Sequence, residues 1–262
     1  MSDLRAALVA AVEAMRTRPP LVHGITGSTT RTLVADGLLA AGARPMLTET
    51  REEAPALVAV ADALLVNLGS LSSDGAAAAL PTAGAAAAHG LPWVLDPTAI
   101  GVAPLRTPLA RQLLALGPTV VRGNASEVRT LVGERGGGRG PDSTSGPDDA
   151  ARAAGALAVA HGCVVSVSGP VDLVTDGEQV ARVTSGVAML TRITGTGCLL
   201  GALTAALSTR ATPFVAAVAA TALLTVAAER VGDRRPGSFK VALVDALDEV
   251  AADEVGREVG LR

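Results

Sequence analysis

The chain of 262 residues has no tyrosine, one tryptophan and two phenylalanines, so stacking of bases or sugars on aromatic faces is not available to it. It also lacks a surplus of positive charge. The net charge of −3 and pI near 5.7 exclude the electrostatic footprint of a nucleic-acid binder, and no nucleic-acid partner is expected. An anionic ligand therefore has to be held locally, by helix ends, backbone amides, a few arginines or a metal ion. Cysteine is scarce: Cys163 and Cys198 stand alone, which speaks against a disulfide scaffold and for a cytoplasmic home. The first fifteen residues mix Asp3, Arg5 and Glu13 with alanines and lack the basic segment and apolar core of a signal peptide. Residues 211–228 carry no charge and reach the length of a membrane span, but Pro213, three threonines and a preponderance of Ala and Val read as a buried core helix. No membrane partner is expected.

What is present is apolar material in alternation. A 49% hydrophobic content supports one large core, read as a single domain over residues 1–262. Strands are predicted at 21–25, 46–47, 63–67, 93–96, 120–122 and 163–168, and helices at 30–41, 74–88, 108–116, 124–132 and 148–161. That order predicts an α/β fold with a mostly parallel sheet and helices on both faces. Asp176-Gly177 between two alternating runs predicts an antiparallel hairpin at the edge. Residues 133–149, rich in Gly, Pro and Ser, read as a surface loop without the Lys-Ser or Lys-Thr of a phosphate loop. In such a sheet, ligands sit beyond the carboxyl ends of the strands. The polar residues there are His23, Thr26, Thr48, Glu49, Asn67, Asp96, Arg122, Asn124, Ser166 and Ser168. His89-Gly90 and His161-Gly162 read as helix ends, which leaves His23 as the histidine placed to meet a ligand.

Two stretches carry candidate chemistry. Ile193-Thr194-Gly195-Thr196-Gly197-Cys198 precedes an apolar helix and reads either as a phosphate-binding helix start or as a glycine-softened turn. Arg122-Gly123-Asn124-Ala125-Ser126-Glu127 reads either as a capping box or as a phosphate-binding Arg122 beside a Glu127 that positions Mg²⁺ near Asp96. Cys198 has three readings: an inert core thiol, a nucleophile whose pKa the helix start lowers, or a proton acceptor or ligand-positioning group. No characteristic histidine partner is evident, so the last of these is preferred to the nucleophile.

These residues resemble the bacterial hydroxyethylthiazole kinases of the ribokinase-like superfamily. The resemblance runs from Pro20 to about Leu207, and its specific segments include VLDPTAIG at 94–101, RGNASE at 122–127 and TGTGC at 194–198. It implies a ribokinase-like fold and ATP- and Mg²⁺-dependent phosphorylation of the primary alcohol of 4-methyl-5-(2-hydroxyethyl)thiazole, in thiamin salvage. It further implies a homotrimer with active sites at subunit boundaries. Met46 and Gly195 would contact the thiazole alcohol, and Arg122 and Ser168 would contact ATP. Asp96 and Glu127 would organise the metal, and Cys198 would lie beside the reacting hydroxyl.

The chain departs from the family pattern at Gly24, Gly27, Thr32 and Asp36, where side-chain amides are usual, and at Val187, where a histidine is common. These departures suggest a different acceptor wall, with Arg31 adding a charge, and a modified thiazole or another small heteroaromatic alcohol as acceptor. The alternatives are a hydroxymethylpyrimidine or pyridoxal kinase, a nucleotide-hydrate dehydratase-like lyase, and a ligand-binding relative without catalysis. An acidic residue is expected at position 198 in both the alternative kinases and the lyase.

Overall fold

In the computed structural model the described residues are 2–134 and 147–262. Most of the loop read at 133–149 lies outside them. Eight strands form one sheet: β1 (Leu21–Ile25), β2 (Arg44–Leu47), β3 (Ala63–Asn67), β4 (Trp93–Asp96), β5 (Val120–Asn124), β6 (Val164–Ser168), β7 (Asp172–Thr175) and β8 (Val180–Val183). Their order is β2-β1-β3-β4-β5-β6-β7-β8. All pairs from β2 to β6 are parallel, and β7 and β8 add antiparallel, as Asp176-Gly177 predicts.

The helices are α1 (Ser2–Thr17), α2 (Arg31–Ala41), α3 (Ala54–Leu57), α4 (Ser73–Ala88), α5 (Arg106–Leu114), α6 (Ala125–Leu131), α7 (Pro147–His161), α8 (Thr196–Leu207), α9 (Pro213–Val231), α10 (Pro236–Glu249) and α11 (Ala252–Glu258). Period-two alternation in the strands sends side chains to two cores. Val22, Leu65, Val94, Val120 and Val164 pack with α1, α2 and α8 to α11. Leu64, Val66, Trp93, Leu95, Val121 and Val165 pack under α4 to α7. The charge-free α9 is long and apolar enough to cross a membrane, yet 83% of its most apolar window is buried in the protein, which makes it the core helix its Ala and Val content suggests.

Most element boundaries fall within two residues of the sequence reading, since helix and strand ends are set by caps and neighbours that periodicity does not show. β2 begins at Arg44 and β5 continues to Asn124, because pairing with β1 and β6 extends them. The chain leaves β1 for β2 on one side and then for β3 on the other. That reversal opens a crevice above the carboxyl ends of β1 and β3, the usual place for a ligand in an open α/β sheet.

Candidate active site

Asp96 ends β4 fully buried, with no solvent exposure. A carboxylate there needs partners, and it has two: Arg122 Nη1 donates to Oδ2 at 3.2 Å and the Thr98 hydroxyl donates to Oδ1 at 2.7 Å. Arg122 Nη2 donates in turn to Ser168 Oγ at 2.8 Å, so the ends of β4, β5 and β6 are tied together through one guanidinium. Burial works against the charge on Arg122, but Asp96, Glu127 and Cys198 outweigh it and hold its pKa above the ordinary value. Its Nε is buried and has no hydrogen-bond partner.

Glu127 fulfils the capping-box reading of its motif. Asn124 Oδ1 accepts the Glu127 N–H at 3.0 Å and Glu127 Oε2 accepts the Asn124 N–H at 2.8 Å, a complete capping box for α6. The other oxygen, Oε1, accepts the N–H of Ala99 at 2.8 Å. Ala99 is a non-glycine residue at φ +64°, so Glu127 also holds a strained turn immediately after Asp96 and Pro97. Burial first, and then the charge of Asp96, push the Glu127 carboxyl up to about 7.

Above this cluster lies the glycine turn. Gly195, at φ +100°, precedes α8 in a left-handed conformation that glycine adopts without strain. The first helical bond is Leu199 N–H to Gly195 O at 2.8 Å, so the amides of Thr196, Gly197 and Cys198 have no helical acceptor. A Cβ on Gly197 would come within 2.5 Å of Arg122 Nη1, which makes a glycine there the condition for the guanidinium to reach the turn. Unbonded amides, a helix start and a buried arginine thus converge on one spot, an arrangement suited to phosphate oxygens.

Cys198 faces Thr30 and Asn67 within hydrogen-bonding reach. Asn67 Nδ2 donates to Thr98 Oγ1 at 3.4 Å, so the thiol joins the network that ends on Asp96. The expectation that the helix start lowers its pKa is overturned. Burial first, and then the Asp96 charge, raise the thiol above its ordinary value, which removes the nucleophile reading.

His23 is also placed differently from its expectation. It lies in mid-strand, fully buried, and neither ring nitrogen has a hydrogen-bond partner. Burial lowers it to about 4, so it remains neutral. His89 and Gly90 keep their helix-ending reading: His89 Nδ1 lies 2.8 Å from Ala85 O, and Gly90 has φ +64°.

The side of the crevice bordered by β1, β2 and α2 is looser. Met46 pairs with His23 and shares its face of the sheet, whereas Leu47 pairs with Gly24. A Cβ on Gly24 would lie 2.6 Å from Leu47 Cδ2, and Leu47 packs on the same core as α8. Gly27 is in turn closed by Gly69 and Ser70. Thr32 and Asp36 are exposed on the outer surface of α2. The four departures therefore do not form one wall within a chain. Arg31 forms an ion pair with Glu49 at 2.9 Å across the mouth.

Sequence reasoning did not single out Thr98, Thr30, Leu47 or Asp172. Asp172 feels the Arg122 charge and accepts the Gly169 N–H at 2.9 Å, while burial pushes it up to about 6. Leu47 could have been found from the two-residue period alone, because neighbours on a strand face opposite sides.

The profile of the hydroxyethylthiazole kinase family matches residues 12–253. The chain belongs to that family. A hydroxyethylthiazole kinase of Kineococcus radiotolerans is 48% identical over 252 residues, covering 95% of this chain and 92% of the relative. The solved hydroxyethylthiazole kinase protein of Pyrococcus horikoshii OT3 superposes with a TM-score of 0.89 at 33% identity, over 97% of this chain and 98% of that one. A pyridoxal kinase of Staphylococcus aureus has a TM-score of 0.64 at 16% identity, over 83% and 91% of the two chains, and shares the fold.

Proposed function

We propose that this chain transfers the γ-phosphoryl group of ATP to the primary alcohol of 4-methyl-5-(2-hydroxyethyl)thiazole. One observation carries the reading: the unpaired, buried Nε of Arg122 lies in a guanidinium that packs against Gly197, in the turn whose amides have no helical acceptor. The acceptor oxygen forms a bond to the γ-phosphorus, the bond to the bridging oxygen of ADP breaks, and the hydroxyl proton passes late to an oxygen of the transferred phosphoryl group and from there to water. Transition-state charge falls mainly on the phosphoryl oxygens, where fixed donors stabilise it. Arg122 and Ser168 hold the nucleotide phosphates and the glycine-turn amides take the moving group. Met46 and Gly195 border the alcohol. Cys198, kept protonated by its surroundings, positions the hydroxyl with Thr30 and Asn67.

Asp96 and Glu127 suit Mg²⁺. Burial raises the Glu127 pKa most and the Asp96 charge adds to it, so a cation between the two carboxylates would be favoured. Both Glu127 oxygens already accept backbone N–H groups, which fits an ion that keeps its waters and takes its other ligands from phosphates. The metal would neutralise phosphate charge. A homotrimer follows in the same reading, since the acceptor half opens at the β2 edge of the sheet and a second copy would complete it; light scattering of the purified protein tests this. The same reading puts the enzyme in the cytoplasm, where Cys163 and Cys198 serve as free thiols.

The test is ADP release from ATP and Mg²⁺ with thiazole, pyrimidine and pyridoxal alcohols. Release that depends on the thiazole alcohol, above that with the other two, is expected. No alcohol-dependent ADP from any of them would overturn the assignment.

A further inference from the structure

Outside the site just described, a cleft of about 430 Å³ is lined by Met189, Arg192, Asp233, Arg234, Arg235 and Pro236. Three guanidinium groups and one carboxylate give it a local charge of +2, in a chain whose net charge is −3. The charges do not neutralise one another. Among the described residues Asp233 makes no ion pair with any of the three arginines, the side chains of Arg192 and Arg235 make no hydrogen bond or ion pair, and that of Arg234 donates Nε to Val231 O at 3.3 Å. Arg31, Arg44, Arg122, Arg129, Arg230 and Arg257 pair with carboxylates, and Arg5, Arg16 and Arg210 donate to backbone carbonyls, so Arg192 and Arg235 have more donors left over than these nine.

The start of a helix and an apolar wall border the cleft. Pro236 opens α10 and carries no N–H, no side chain caps this helix, and its first turn holds no acid. The first bond onto the cap is Phe239 N–H to Arg235 O at 2.8 Å, so the amides of Gly237 and Ser238 precede it. Met189 and Pro236 supply the apolar side.

We propose that this cleft binds a phosphate monoester of a small ring compound, with the arginines on the phosphate and Met189 and Pro236 against the ring. Guanidinium groups match phosphate geometry and hold it in bidentate fashion. The cleft also adjoins the catalytic turn. Arg192 directly precedes Ile193, and the Thr196 hydroxyl donates to Leu190 O at 2.9 Å, so an occupant bears on the start of α8. This proposal stands apart from the phosphotransfer reading, because its test measures binding.

Titration calorimetry of the full chain without ATP, using the phosphate ester of hydroxyethylthiazole and, separately, inorganic phosphate, provides that test. The unaltered protein is expected to bind two equivalents of the ester, one at the glycine turn and one in the cleft. Arg234→Glu/Arg235→Glu, at exposed positions, is expected to bind one, with kinase activity within about twofold. Arg192→Gln is expected to weaken the same equivalent about tenfold. A stoichiometry that is the same in the unaltered protein and the double variant, whether one equivalent or two, would overturn the cleft site, whereas one equivalent that the double variant loses would keep the cleft and count against the glycine turn. Ester binding about tenfold tighter than inorganic phosphate in the cleft is expected; equal affinity would overturn the role of Met189 and Pro236.

Discussion

The half of the crevice proposed to hold the phosphates and the half proposed to hold the acceptor are built from different material. Asp96, Arg122, Glu127 and Ser168 stand on central strands or on a capped helix start, and nearly every polar atom is spoken for by a neighbour. The acceptor half rests on the edge strand β2, on loops tied by Thr29 and Ser70 at 2.9 Å, and on an ion pair between half-exposed Arg31 and Glu49. The difference teaches where change is tolerated. Charge stabilisation needs donors fixed before the reaction, which a closed network provides, whereas an edge strand and surface loops can be altered without disturbing it.

The largest expected effect breaks the comparison directly. Arg122→Ala removes the guanidinium that joins β4, β5 and β6, leaves Asp96 buried without its cation, and deprives the phosphates of their anchor. A fall in kcat/KM of about 10³, roughly 4 kcal/mol, is expected in steady-state assays. Met46→Ala in the acceptor half is expected to raise KM for the thiazole alcohol about tenfold with kcat little changed. Equal losses of kcat in both variants would erase the distinction between the halves.

A second expectation concerns buried groups that titrate in opposite senses. The folded pKa of His23, about 4, lies below the unfolded value of roughly 6.5, so between these pH values only the unfolded chain holds the proton. This part of the stability rises with pH, by about 3 kcal/mol across the window. The folded pKa of Glu127, about 7, lies above its unfolded value of roughly 4.3, so the folded chain holds the extra proton and its part falls with pH by a similar amount. Asp172, at about 6, acts in the same direction as Glu127. The protein without Mg²⁺ or nucleotide is therefore expected to be less stable at pH 6.5 than at 4.5, by about 2 kcal/mol, with a lower urea midpoint. His23→Leu removes the rising part, and its midpoint should fall about twice as far over the same range. A fall in that variant no larger than in the unaltered protein would refute the balance.

The α/β order was legible because each strand is short, apolar and followed by a helical segment, and Asp176-Gly177 announced the antiparallel edge. RGNASE and TGTGC announced the residues that gather at the phosphate half, since glycine turns and caps are local in sequence. What was not legible is set by contacts between distant segments. Thr98 matters because β3 brings Asn67 beside it, and the Cys198 thiol is raised because burial and Asp96 together outweigh the helix start. His23 was misplaced for the converse reason: it lies on a predicted strand, but which face of that strand is roofed by helices does not appear in five residues.

The smallest expected effect sharpens the comparison at the point where the halves meet, at Cys198. The thiol touches Thr30 from the acceptor side and Asn67 from the network that ends on Asp96, and it stays protonated at neutral pH. Such a group orients the alcohol without having to remove its proton, because proton loss is late when the transition state is loose. Cys198→Ser keeps a donor of similar size and is expected to lower kcat less than about fivefold. Cys198→Asp places a second carboxylate near Asp96 and is expected to leave kcat within about tenfold, with the variant remaining folded. Loss of all activity in a folded Cys198→Ser protein would instead assign the sulfur a part in the chemistry, and would move the border between the halves onto the reacting atoms.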